Sequence, residues 1–109
     1  MGVQAFTQLG NTVVFTASTS APTPVQAVSK TLGGNQYRII NSGTVTVFLG
    51  YGATSSDASN NSSVVSTTGA SMPILAGTDE ILSFVPNAYF KGITSSGTAA
   101  IYITPGDGM

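Results

Sequence analysis

The chain has 109 residues, with three Lys or Arg, four Asp or Glu, no His, no Cys, no Trp and a net charge of -1. So few cations argue against a phosphate-neutralising nucleic-acid surface and against a polybasic membrane site. The missing His and Cys exclude Ser-His-Asp and Cys-His catalysis, disulfides and the preferred ligands of zinc.

A hydrophobic content of 41% speaks for a folded chain, and the length suits a single domain over 1–109. Met1 to Gly10 has no basic region and no apolar run, so no secretory signal is predicted. No stretch reaches the roughly 20 apolar residues of a membrane helix.

The periodicity is that of strands. The first are predicted over Val3–Leu9 and Asn11–Ala17, the latter with Val13, Phe15 and Ala17 on one face. Pro22 and Pro24 mark an extended connection to a strand over Val25–Ser29, and then come Gln36–Asn41 and Thr44–Leu49. In Thr44–Leu49, Val45, Val47 and Leu49 point one way while Thr44 and Thr46 point the other. Ser55-Ser56-Asp57 offers a helix cap, but Ser and Asn dominate the residues after it, so Ala53–Asn61 reads as a loop. Further strands are predicted over Ser62–Ser66, Ser71–Leu75, Glu80–Val85 and Ala88–Thr94. Pro73 makes its strand an edge or a bulge. In the last strand Ala99, Ile101 and Ile103 alternate with Ala100, Tyr102 and Thr104, and Pro105 to Gly108 ends it. Turn signals at Gly10-Asn11, Gly33-Gly34, Ser42-Gly43, Gly77-Thr78, Pro86-Asn87 and Ser96-Gly97 separate these segments. Short strands with closely spaced turns give an all-β sandwich or barrel.

One internal echo stands out. Tyr37-Arg38-Ile39-Ile40-Asn41-Ser42-Gly43-Thr44 resembles Phe90-Lys91-Gly92-Ile93-Thr94-Ser95-Ser96-Gly97-Thr98, with Phe48 and Tyr102 downstream at matching places. Two readings fit: independent hairpins that share turn chemistry, or related hairpins in equivalent positions of a sandwich.

Little catalytic chemistry is on offer. Lys30 and Lys91 lie in no nucleophile motif. Asp79 and Glu80 are adjacent: in a strand they point to opposite faces and cannot easily flank one sugar, and in the turn Gly77-Thr78-Asp79-Glu80 they are solvated or satisfy turn amides. Asp57, Asp79 and Asp107 lack a local calcium motif. Thr31-Leu32-Gly33-Gly34-Asn35 is not a phosphate loop. Asn60-Asn61-Ser62-Ser63 matches the glycosylation pattern with no secretion signal to support it. No cofactor and no metal are expected. Tyr37, Tyr51, Tyr89, Phe90 and Tyr102 serve packing or a sugar-stacking platform. Arg38 and Lys91 are solvent-facing cations, or they pair with Asp79, Glu80 or Asp107 across a subunit contact.

Tyr37–Gly52, Leu75–Leu82, Pro86–Phe90 and Gly97–Gly108 together resemble small virion proteins of tailed bacteriophages, in particular capsid decoration (cement) proteins. The resemblance implies an antiparallel, jelly-roll-like β-sandwich of about eight short strands. It implies a structural protein, not an enzyme, on the outer surface of a major capsid protein shell. The virion would be assembled in the bacterial host cytoplasm, and the protein would stabilise the head. A tail or fibre-associated binding module, with carbohydrate as its ligand, is the alternative. The near-zero charge predicts a homo-oligomer, a trimer rather than a dimer because icosahedral shells offer many three-fold sites. Phe6, Phe48, Tyr51, Tyr89 and Phe90 are the aromatic candidates for core or interface, and Arg38, Asp79, Glu80 and Lys91 are the charged interface candidates.

Overall fold

The computed structural model describes residues 6–20, 22–29, 35–64 and 69–108. Nine strands occur among them: β1 (Phe6–Gln8), β2 (Val13–Ala17), β3 (Val25–Gln26), β4 (Gln36–Asn41), β5 (Val47–Gly52), β6 (Met72–Ile74), β7 (Asp79–Ser83), β8 (Tyr89–Ile93) and β9 (Ala99–Gly108). A short helix, α1 (Ser55–Asn60), lies between β5 and β6. The first sheet runs β2-β9-β4-β7 and the second β3-β8-β5-β6, with every pairing antiparallel. That order is a jelly roll: two Greek keys folded into facing sheets. β1 is an addition that pairs with the far half of β9.

Advancing the numbering by four exchanges the sheets. The pairs β2·β9, β9·β4 and β4·β7 become β6·β5, β5·β8 and β8·β3, all of which exist. The echoed segments are β4 with its exit to β5 and β8 with its exit to β9, so they occupy equivalent positions. They are not hairpins, however. β4 and β5 lie in opposite sheets, as do β8 and β9, and each echo is a corner that crosses the sandwich. Each corner starts at a buried polar residue whose side chain holds the turn that carries the chain away from its own strand. Asn41 donates from Nδ2 to the Val45 and Ile74 carbonyls (3.0 and 2.9 Å) and accepts from the Gly43 amide. Its counterpart Thr94 donates from Oγ1 to the Gly97 carbonyl at 2.7 Å.

The core is the inward face of both sheets. It holds Phe15, Ala17, Tyr37, Ile39, Ile101 and Ile103 from one sheet, and Val47, Leu49, Ile74 and Phe90 from the other. Tyr37 and Phe90, the two echoed aromatics, meet edge to face at 4.9 Å. The Tyr37 hydroxyl donates to the Val85 carbonyl and accepts from the Ala88 amide, tying β4 to the entry of β8.

Three expectations need correction. Residues 53–61 are not all loop, because α1 forms. Thr54 Oγ1 accepts from the Asp57 amide as its cap, and Ala58 packs on β5, where Gly50 and Gly52 leave no room for a side chain. Tertiary packing overrides the weak helix propensity of Ser and Asn. Pro105 to Gly108 does not end the last strand. The Pro105 carbonyl accepts from the Leu9 amide, so its ring nitrogen faces the gap where the neighbour of β9 changes from β2 to β1. No ladder hydrogen bond is lost there. Residues 62–64 form no strand, and 65 and 66 lie outside the described residues, as do the predicted strand's Val3 to Ala5, Lys30 and the Gly33-Gly34 turn. Pro73 does sit on an edge strand, β6.

Burial holds the Tyr37 phenol protonated to higher pH than a free tyrosine, opposed in part by the Ala88 and Asn87 amides. A raised folded-state pKa stabilises the fold fully below the unfolded value of about 10 and stops doing so as pH rises through the folded value. Tyr37→Phe leaves the Ala88 amide and Val85 carbonyl without their partner, an expected loss of about 1–3 kcal/mol in urea melts at pH 7. The variant is also expected to lose less stability than the wild type above about pH 10.

Candidate functional site

No cluster of three or more metal-ligating side chains occurs among the described residues. The features that remain among the described residues are the two outer sheet faces and open cavities, one of them walled by aromatic side chains.

On the first sheet, register places Val14, Tyr102 and Ile40 in one row across β2, β9 and β4. Ile81 stands on the same face of β7, opposite Arg38. Val14, Tyr102 and Ile81 are 51%, 41% and 52% exposed, which makes this an apolar band open to solvent. Arg38 and Asp79 border it. The guanidinium donates from Nε at 2.9 Å and from Nη2 at 2.5 Å to Asp79 Oδ2. The hydrogen bonds to Asp79, and then its charge, raise the Arg38 pKa further, with no consequence for a group that is always protonated. Both side chains are nearly half exposed, so the pair sets geometry rather than stability. Phe6 lies over the Gly106 backbone at the end of β9.

On the second sheet, Pro73, Phe48 and Ile93 form a row across β6, β5 and β8, with Phe48 and Ile93 half-buried and Pro73 exposed. Beside it, α1 covers the Gly50–Gly52 backbone, and Lys91 donates to Ser59 Oγ at 3.4 Å. Tyr89 stands opposite Gln26 and Gly52 on this outer face.

The cavity, of about 290 Å3, opens at one end of the sandwich between Tyr51, Phe84, Asp57, Asn61 and Ala70. Tyr51 and Phe84 meet edge to face at 5.0 Å in its wall. Asn61 donates from Nδ2 to the Tyr51 carbonyl at 3.0 Å, which ties the loop after α1 to β5.

The structure thus sorts the candidates. Phe90 is fully buried and belongs to the core, not to an interface. Phe48 faces outward, Tyr51 lines the cavity, and Arg38 pairs with Asp79 within one chain. Tyr37, Tyr51 and Tyr102 share no surface: the first is buried, the second is in the cavity and the third is on the first sheet's outer face. A stacking platform of all three does not exist. Glu80 lies opposite Ile39 on the core-facing side of β7, yet it is exposed because β7 is an edge. An inward-pointing charge on an edge strand keeps that edge from pairing with other chains. Sequence reasoning misses the band of Val14, Ile40, Ile81 and Tyr102. Its signal is the breakdown of alternation: Val13-Val14, Ile39-Ile40, Ile81-Leu82 and Ile101-Tyr102-Ile103 place apolar side chains on both faces of their strands.

The fold and surfaces define a jelly-roll β-sandwich with an apolar row on the outer face of each sheet. No protein-family model, curated protein or solved structure matches the chain.

Glu80→Val is expected to leave the fold intact and to raise turbidity and fibre-dye binding on warming, because the β7 edge loses its charge. Equal turbidity in both proteins would remove that role from Glu80.

Proposed function

We propose that this chain is a structural virion protein of a tailed bacteriophage: a decoration protein that binds the outer surface of a major capsid protein shell, stabilises the head and catalyses nothing. The observation that carries the reading is the pair of apolar rows on opposite sides of one small sandwich, Val14–Tyr102–Ile40 and Pro73–Phe48–Ile93. A module with contact surfaces on both outer faces is suited to bridging neighbours in an assembly. Each contact is small, and repetition over a shell supplies the avidity. The low charge supports the same reading, since it adds little repulsion when many copies crowd together. So does the resemblance of the Tyr37–Gly52 and Gly97–Gly108 segments to decoration proteins.

One observation favours a tail or fibre-associated, carbohydrate-binding module instead. The cavity wall combines the aromatic pair Tyr51 and Phe84 with Asp57 and Asn61, a mixture of ring faces and polar groups that suits a sugar.

Electron microscopy of purified virions that contain the chain tests the assignment. The expected result is density for one sandwich per repeating site on the outer head surface, with Phe48→Asp particles lacking it. Density at the tail, with tyrosine fluorescence responding to oligosaccharides, would replace it with the second reading.

A further inference from the structure

We propose that the outer face of the β2-β9-β4-β7 sheet packs against the same face of a second copy of this chain, about a two-fold axis. The band Val14–Tyr102–Ile40, with Ile81 beside it, is the apolar centre of that contact. The charged side chains that register places on this face, among the described residues, are Arg38 and Asp79. They neutralise each other within one chain. The face is therefore its own complement. A two-fold rotation sets Arg38 over the second copy's Asp79 and Asp79 over its Arg38, and no lone charge loses water. A partner surface of a single sign would oppose one member of the pair. The net charge of -1 adds little repulsion between copies.

The area is small for a stable interface. Four strands about 4.8 Å apart, with about 17 Å of each in contact, give about 300 Å2 per copy. A stable interface takes about 800 Å2 per partner. The contact is therefore weak in solution, and it becomes firm only when something else holds both copies close. Because one flat face meets its equal, the product is a dimer and not the trimer expected from icosahedral sites. The inference does not rest on the shell-binding reading, because the Phe48 row on the opposite sheet stays free for a shell when a second copy covers this face.

Sedimentation equilibrium from about 10 μM to about 1 mM is the test, with the dissociation range set by the small area. The wild type is expected to rise from monomer toward dimer mass. Tyr102→Asp, at an exposed position, is expected to weaken association about tenfold or more while leaving the circular dichroism unchanged. Arg38→Asp alone is expected to weaken it, and Arg38→Asp with Asp79→Arg together to restore it, because the swapped pair is again its own complement. Phe48→Asp is expected to dimerise like the wild type. A wild-type monomer at 1 mM, a trimer mass, or equal association by Tyr102→Asp would each overturn the proposal.

Discussion

Tyr37 and Phe90 meet edge to face between the sheets, one ring from each, and the Tyr37 hydroxyl reaches on to the backbone just before β8. This contact does two jobs at once. The rings pack the two sheets against each other. The hydroxyl fixes where β8 enters, and β8 carries Phe90 back to the ring. Tyr51 continues the packing, 6.3 Å from Phe90 and 5.0 Å from Phe84, toward the open end. An aromatic pair of this kind contributes about 0.5–1.5 kcal/mol beyond its buried area. In a chain with no disulfide, that kind of packing has to carry the fold.

The same two residues sit at equivalent points of the two Greek keys. Each is the second residue of a strand that leads to a buried polar residue, Asn41 or Thr94, after which the chain crosses to the other sheet. The corners differ in how they close. Asn41 reaches the Ile74 carbonyl with its side chain, whereas Thr94 reaches the Ser18 carbonyl with its amide. The equivalence places Arg38 and Lys91 on outer faces of opposite sheets. One finds Asp79 and the other finds Ser59 of α1. Matched sequence thus yields unlike surfaces, because the neighbours differ.

Much of the fold was legible because alternation reports one buried face per strand. Gln36–Asn41 and the inward sets Val13, Phe15, Ala17 and Ala99, Ile101, Ile103 emerge from it directly. What alternation does not report is the partner of a strand. A segment such as Tyr37–Thr44 reads as half a hairpin until the buried bonds of Asn41 send it across the sandwich. Nor does it report packing on an outer face: α1 forms because glycines at 50 and 52 admit it, and these glycines carry no helical signal of their own. The surface site was least legible. Phe90 and Phe48 are both strand aromatics, and only the phase of their strands separates core from face. The apolar outer band was visible as paired apolar residues, which also describe a strand buried on both sides.

On this account the inward faces hold the fold and the outward faces make the contacts, with the sheet plane dividing the two. A methyl and aromatic NMR concentration series tests that division most directly. The account predicts that shifts on concentrating the protein are confined to Val14, Ile40, Ile81 and the Tyr102 ring, while Tyr37, Phe90 and the Tyr51–Phe84 wall stay fixed. Shifts centred on the Tyr51–Phe84 cavity, or none on the outer band up to about 1 mM, the weak end of the range set by the small contact area, would contradict it.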